Sequence, residues 1–370
     1  LPNDLFSILT FKQISHVKRI DYIIVGQGLA GSALAFQMME AGLKVMVFDQ
    51  PEKNTTSRIA AGLFNPITGK KMVRTWLADE IFPFLHHFYR HVENVTQAKF
   101  FYSKPLYRPF FSVEDQNEWM AKSVDPTYGA YIDRVVTHPN VKNVNDPFGG
   151  LFLRHCGYLD TTVYIQAVRN WLEQHHAYRA AYFDEEGVKI NDGAVEYDDL
   201  VAKKVIFCQG VHGSKYFGWV PIRSLKGETI TIQADLPTEI ILNRGVYAVP
   251  TKYEGQWRVG STYHLKDKVP GITPLAEQEL TTKFNNLVSI PYRVVGQEWG
   301  FRPTTVERRP IIGLHPEFKE LVIFNGFGTK GVSLVPYFSD KLIQLVEKGI
   351  PVTEEVRLDR YKLLYSSSSK

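Results

Sequence analysis

Three glycines and an acid near the start of this 370-residue chain have the types and spacing to hold a phosphorylated ligand. In Asp21-Tyr22-Ile23-Ile24-Val25-Gly26-Gln27-Gly28-Leu29-Ala30-Gly31-Ser32-Ala33, a β-type apolar run enters a G-x-G-x-x-G turn that opens a helix. A helix start of this kind points free N–H groups and the positive end of the helix dipole at a pyrophosphate. Gly26 permits the tight turn, Gly28 lets the backbone approach the phosphates with no Cβ in the way, and Gly31 lets the helix lie close to the strand. The next apolar run, Lys44-Val45-Met46-Val47-Phe48, ends in Asp49, where an acid accepts from a ribose hydroxyl. Read together, these residues describe a dinucleotide site rather than a bare βαβ unit.

A second glycine pattern, Gly326-Phe327-Gly328-Thr329-Lys330-Gly331, follows the apolar run Leu321-Val322-Ile323-Phe324 and precedes a helical stretch. Too little chain remains beyond Gly331 for the further strands a second nucleotide fold requires. The better reading is a helix N-terminus that faces an anionic group. Pro336 is expected in the first turn of that helix, where a missing N–H costs nothing.

The elements that must position these residues follow from periodicity. The first helix is expected from about Gly31 to Ala41, stopping at Gly42. A second is expected from about Met72 to Val92, with Leu77, Ile81, Leu85 and Phe88 on one face and a kink at Pro83. Residues 100–150 show turn residues and aromatics without a long helical period, which predicts antiparallel strands. A helix is expected at Thr161 to His175 and strands at Gly187 to Tyr197, Lys204 to Phe207, Glu228 to Gln233, Val246 to Val249 and Trp257 to Gly260. The serine tail Ser366 to Ser369 is expected to be disordered.

Composition sets the outer bounds. At 44% hydrophobic and 22% charged residues the chain can bury a sizeable core, and its length predicts two packed domains. The net charge of +4 is dispersed, with only Lys70-Lys71, Lys203-Lys204 and Arg308-Arg309 as short basic clusters, which does not argue for a nucleic-acid partner. Cys156 and Cys208 read as two buried free thiols in a reducing compartment. Residues 1–20 lack a signal-like apolar segment and no run is long enough for a membrane span. The expectation is a cytoplasmic protein, with a trimmed N-terminus left open by the missing initiator Met.

These motifs are similar to those of the D-amino-acid oxidase, glycine oxidase and sarcosine oxidase family of FAD-dependent oxidoreductases over nearly the whole chain. Thr55-Thr56-Ser57-Arg58-Ile59-Ala60-Ala61-Gly62-Leu63-Phe64-Asn65-Pro66 resembles the family's T-T-x-x-x-A-A-G-L-x-x-P stretch. Gly157-Tyr158-Leu159-Asp160, Val205-Ile206-Phe207-Cys208-Gln209-Gly210, Gly300-Phe301-Arg302-Pro303-Thr304-Thr305 and Pro310-Ile311-Ile312-Gly313 match further motifs in the family's order. The resemblance implies an α/β fold: a discontinuous Rossmann-like FAD-binding domain (18–95, 151–220 and 300–365) and a second, antiparallel sheet-rich substrate domain (96–150 and 221–299).

It also implies roles. Contact with FAD falls to Gly26, Gly28, Leu29, Ala30 and Gly31, to Asp49 and Gln50, and to Thr55, Thr56, Ser57, Gly62 and Leu63. Later in the chain it falls to Gly210 and to Gly328, Lys330, Gly331, Val332 and Ser333, the last loop facing the charge of a reduced flavin. Arg302 matches the family's carboxylate-binding arginine, whose planar fork suits a carboxylate, the alternative being an ion pair with Glu298 or Glu307. Tyr247 falls where relatives place a tyrosine on the same carboxylate, and would otherwise be a packing residue. Thr329 would offer a carbonyl to the substrate amine. Lys330 either adds charge near the flavin or is solvated. D-amino-acid oxidases carry a further tyrosine where this chain has Asn243, which argues against simple D-amino-acid specificity.

The implied activity is oxidation of the C–N bond of an amino acid or N-methyl amino acid by hydride transfer to flavin N5. No side-chain base is expected, and oxygen or another electron acceptor would regenerate the flavin. No cysteine stands between Arg302 and Pro310, so the FAD is expected to be non-covalent. Rival readings are a flavin dehydrogenase using a different acceptor, an oxidase of a modified tRNA base, a flavin-binding module without turnover, and a nicotinamide dehydrogenase. His87 and His91 share a helix face but have no third metal ligand at characteristic spacing. Neither a G-x-S-x-G elbow nor a P-loop is present.

Overall fold

The computed structural model describes residues 17–50, 55–69 and 72–368. The strand Lys18–Val25 is the centre of its first sheet, paired in parallel with Val45–Asp49 on one side and Leu200–Phe207 on the other. Tyr178–Ala180 extends the sheet beyond Val45–Asp49, and Leu321–Asn325 runs parallel beside the end of Leu200–Phe207. Successive side chains of the central strand go to opposite faces. Tyr22 and Ile24 enter a core built with the helices Leu29–Glu40, Ala78–Thr96, Thr161–Gln174 and Gly331–Lys348. Ile23 and Val25 enter a second core with Phe183, Tyr197 and Phe207. Burial on both faces explains why residues 22–25 of this strand form an unbroken apolar run.

A second sheet of eight strands runs in the order Arg293–Thr304, Arg223–Gln233, Gln256–Gly260, Val246–Pro250, Ile241–Arg244, Leu106–Pro109, Gly150–Leu153, Ile132–Val136. Every pairing is antiparallel except that of Ile241–Arg244 with Leu106–Pro109. One face buries Ile230, Ile232, Trp257 and Val259 under the helix Pro274–Asn285. The other face, by register, carries Asn243, Tyr247, Arg258, Gly260, Gly227, Gly300 and Arg302. A small sheet of Leu63–Phe64, Gly157–Leu159 and Phe101–Ser103 lies apart from both.

Several elements differ from expectation, each for a local reason. The helix expected from Met72 starts at Ala78, because Met72 and Leu77 take left-handed backbone angles and Val73–Arg74 pairs with Ile67–Thr68 instead. Residues 100–150 contain the helix Val113–Ser123, capped by Ser112, whose Oγ accepts the Asp115 N–H. Ser366 to Ser368 belong to the closing helix Lys362–Ser368, while Ser369, Lys70, Lys71 and the N-terminal segment bearing the targeting reading lie outside the described residues. Cys156 and Cys208 are buried and unpaired, and no helix among the described residues is long and apolar enough to cross a membrane.

Pro336 falls in the second turn of Gly331–Lys348, not the first. There a proline removes the N–H that would bond the carbonyl four residues back, that of Val332. The hydroxyl of Tyr89 donates to that carbonyl at 2.9 Å, in a fully buried contact between two helices. Tyr89→Phe should therefore lower stability by about 1–3 kcal/mol in chemical denaturation, the cost of an unsatisfied buried carbonyl. The loss should shrink when Pro336→Ala restores the missing N–H.

Candidate functional site

The glycine turn is shaped by what touches it. A Cβ on Gly31 would stand 1.9 Å from the Gly26 carbonyl oxygen, so only glycine lets the helix sit this close. Gly26 takes a φ of 96° beneath the Cys208 carbonyl. Leu29 and Ala30 open the helix, and the Leu29 N–H donates to Ser57 Oγ at 3.2 Å. Asp49, ending the second strand, accepts the Gln27 backbone N–H on Oδ1 and the Arg169 guanidinium on Oδ2, both at 2.9 Å. Gln50 follows it, exposed.

The segment after Thr55 is fixed from several sides. Thr55 caps the short helix Thr56–Ile59. Thr56 Oγ1 donates to the Phe301 carbonyl, so its hydroxyl serves the junction with the Arg293–Thr304 strand. Thr161 and Thr162 donate to the carbonyls of Ala60 and Arg58. Gly62 has φ 69° and packs on Leu159, whose carbonyl would lie 1.8 Å from a Cβ there. Leu63 pairs with Tyr158.

The last glycine loop meets the first. Gly328, at φ 56°, donates its N–H to the Pro303 carbonyl at 2.7 Å. Gly331 is the first residue of its helix and lies against Leu29, the first residue of the other, 3.3 Å separating a Cβ there from Leu29 Cδ1. Two helix N-termini thus stand side by side. Thr329 is exposed, whereas Val332 and Ser333 are buried. Lys330 turns its Nζ to Thr68 Oγ1 and Thr75 Oγ1 at 3.3 and 3.4 Å. Gly210, at φ 61°, gives its carbonyl to Asn325 Nδ2.

The residues present fit FAD. Two buried polar atoms near the acid and the turn, Tyr178 Oη and Gln209 Oε1, have no partner among the described residues, which is unusual for buried polar groups unless a ligand completes them. Among the described residues, a Cβ on Gly28 would meet only the Ser57 side chain.

Arg302 and Tyr247 stand on strands separated by two others, yet their polar ends converge. Arg302 lies across Gly227, where a Cβ would fall 2.1 Å from its Nη1. Tyr247 lies across Gly260, where a Cβ would fall 2.9 Å from its hydroxyl. Gly227 and Gly260 belong to adjacent strands, so two missing side chains let both groups lie flat over the middle of the sheet. The Arg302 Nη1 donates to the Thr262 carbonyl at 3.3 Å, and the side chain of Ser261, the residue before it, helps to lower the Tyr247 pKa. The Tyr263 ring covers the guanidinium, 5.2 Å from centroid to Cζ. Burial holds the Tyr247 pKa above its ordinary value, with Arg302 pulling the other way, so the phenol is a neutral donor. Glu298 pairs with Arg258 and Glu307 accepts from Tyr361; among the described residues Arg302 makes no ion pair. Asn243 stands directly opposite Tyr247. His91 pairs with Glu40.

Arg169, Gly227 and Gly260 were not singled out from the sequence. A glycine inside an alternating strand signals close approach, and an arginine one turn after Ile165 on an apolar helix face signals a buried partner.

The family described as DAO, FAD dependent oxidoreductase, matches residues 21–345. The chain is 23% identical over 358 residues to the tRNA 5-methylaminomethyl-2-thiouridine biosynthesis bifunctional protein MnmC of Marinobacter nauticus, covering 87% of this chain and 55% of that protein. It is 24% identical to a glycine oxidase of Pseudomonas aeruginosa, covering 90% of this chain and 96% of the relative. The structure of glycine oxidase from Bacillus cereus superposes with a TM-score of 0.74 at 18% identity, covering 90% of this chain and 96% of that one, a likeness of fold.

Burial, with Arg309 and Arg308 adding to it, pushes the Lys330 pKa down from 10.5 to about 8. Between about pH 8 and 10.5 the unfolded chain keeps a proton that the folded chain has released, so this group's contribution to stability rises with pH across that window. Below pH 8 its cost is present in full. In urea unfolding of the apoprotein at pH 7.5, 9 and 10, the advantage of Lys330→Met over wild type should be largest at pH 7.5 and shrink as pH rises.

Proposed function

The chain belongs to the DAO family of FAD-dependent oxidoreductases, and on that premise we propose that it oxidises the C–N bond of a small amino acid or N-methyl amino acid. The product is an imine that water hydrolyses to an oxo acid and an amine. The observation carrying this reading is the convergence of Arg302 and Tyr247 on one sheet face that packs against the cofactor segment Thr56–Ile59. FAD, which the Gly26–Gly31 turn and the Thr55–Leu63 segment would hold, would supply a two-electron acceptor at flavin N5 for a hydride from the substrate carbon.

The protein's own residues bind and orient. One Arg302 nitrogen is tied to Thr262, which fixes the guanidinium and leaves the rest of the fork for a carboxylate. Tyr247 donates a second, neutral hydrogen bond to the same group. Thr329, exposed in the glycine loop that precedes the helix Gly331–Lys348, offers its carbonyl to the amine. With the carboxylate and the amine both held, the substrate carbon is directed at the cofactor without a dedicated base. Gly331 and Val332 supply backbone N–H groups, those of Gly328 and Ser333 being taken by the Pro303 and Lys330 carbonyls, and Lys330 supplies positive charge at the flavin end. The FAD is held without a covalent bond, because both cysteines are buried with thiol pKa values pushed up by desolvation.

The deciding experiment is anaerobic addition of glycine, sarcosine, proline and a set of D-amino acids to purified protein while the visible flavin spectrum is recorded. Bleaching by one of them supports the reading, and readmitted air then distinguishes an oxidase from a dehydrogenase. A flavin that no amine bleaches overturns the substrate class. Arg302→Met should raise KM for the bleaching substrate at least about tenfold, the loss of a charged hydrogen-bonded pair being on the order of 1.5–3 kcal/mol. Gly227→Ala should do the same through displacement of the guanidinium, with the FAD content per chain unchanged. Acid precipitation should release the flavin into the supernatant.

A further inference from the structure

We infer that Arg169 is a positioning residue for the adenosine end of the cofactor: it locks Gln27 and Asp49 into one buried clamp that sets the glycine turn and the ribose-facing acid before FAD binds. The inference rests on the cofactor and is independent of the substrate proposed above.

The G-x-G-x-x-G pattern places no demand on the residue between its first two glycines, yet here that residue is 3% exposed with every polar atom of its side chain engaged. Gln27 Nε2 donates to the Ile165 carbonyl at 2.9 Å and to Ser32 Oγ at 3.1 Å. Its Oε1 accepts Arg169 Nε at 2.9 Å. Arg169 Nη2 reaches Asp49 Oδ2 at 2.9 Å, and Asp49 Oδ1 accepts the Gln27 backbone N–H at 2.9 Å. The contacts close a ring: turn backbone, carboxylate, guanidinium, turn side chain. Only a planar fork with Nε and Nη donors on one edge spans an amide and a carboxylate together.

Arg169 lies on the buried side of Thr161–Gln174, 8% exposed, with its guanidinium 4.9 Å from the centroid of the Tyr178 ring. A cation there is costly unless paired and hydrogen-bonded, and both conditions are met by the two residues that build the cofactor turn. A carboxylate has about four acceptor positions. Two are used among the described residues, which leaves one on each oxygen for ribose hydroxyls. The acid is thereby fixed in orientation without being consumed. Without Arg169 the carboxylate is held only by the Gln27 N–H, and Gln27 Oε1 loses its partner while its Nε2 stays on the Ile165 carbonyl, so binding would have to order the acid.

The test is titration of the apoprotein with FAD, read by quenching of flavin fluorescence, together with the melting temperature of the apoprotein. Arg169→Met should raise the Kd for FAD at least about tenfold, while the absorption spectrum of the FAD-saturated variant stays that of wild type. Arg169→Lys should not restore affinity, since one ammonium cannot make both contacts in this geometry. Asp49→Asn should weaken binding by itself and leave little further loss when Arg169→Met is added, because both act through one clamp. If Arg169→Met fails to fold, Gln27→Met opens the ring while keeping the ion pair and should raise Kd in the same direction. Wild-type affinity in the folded variants, or losses from Arg169→Met and Asp49→Asn that simply add, would overturn the inference. Failure of the wild-type apoprotein to take up FAD would instead count against the cofactor itself.

Discussion

The structure depends on the junction between Thr56–Ile59 and the strand Arg293–Thr304. Thr56 donates to the Phe301 carbonyl, Arg258 Nη1 donates to the Ile59 carbonyl, and Gly300 has no Cβ because Ile59 Cδ1 would lie 2.2 Å from it. Phe301 precedes Arg302, and Ser57 holds the first N–H of the glycine-turn helix. A single short helix therefore connects the glycine turn with the strand that carries the Arg302 guanidinium. Distances between cofactor and substrate atoms matter at the ångström level in the chemistry proposed above, and a rigid joint between the two sheets is what that proposal calls for.

Backbone approach recurs as the means of assembly. Glycines stand where two chains come within a side chain's width: Gly31 on Gly26, Gly62 on Leu159, Gly227 beneath Arg302 and Gly260 beneath Tyr247. The first two bring together the backbone proposed to hold the cofactor, and the last two make floor space for long polar side chains on a flat sheet. The same economy of space explains the buried polar contacts. Tyr89 supplies the donor that Pro336 withholds from Val332, and Arg169 engages both a turn amide and an acid. Each is a polar group buried only because its partner is fixed in place.

Much of this was legible in the sequence, for reasons specific to each element. The G-x-G-x-x-G turn, the paired apolar strands and Asp49 obey local rules of conformation and spacing, and the structure has the strands, turn and helix in the order read. Element boundaries were less legible. Leu77 and Met72 adopt left-handed angles that leucine and methionine rarely take, so the late start of Ala78–Thr96 has no local signal. The helix Val113–Ser123 did have one, Ser112 followed by Asp115, but its aromatic and turn-rich surroundings masked it. Pro336 was placed one turn too early because the structure's remedy, a tyrosine hydroxyl from a helix more than two hundred residues away in sequence, is invisible to any window.

What the sequence determined by itself was the fold class, the family and the two glycine loops, because these follow from backbone sterics and from motifs whose residues are close in the chain. What only the tertiary structure decided was which side chains face one another: Arg302 with Tyr247 over two glycines, Arg169 with Gln27 and Asp49, Gly331 against Leu29. Those pairings depend on strand register and helix docking, and a shift of one residue in register turns every side chain to the opposite face. Register is settled by the sum of contacts along whole strands and across the core, a quantity that no single residue or local spacing contains.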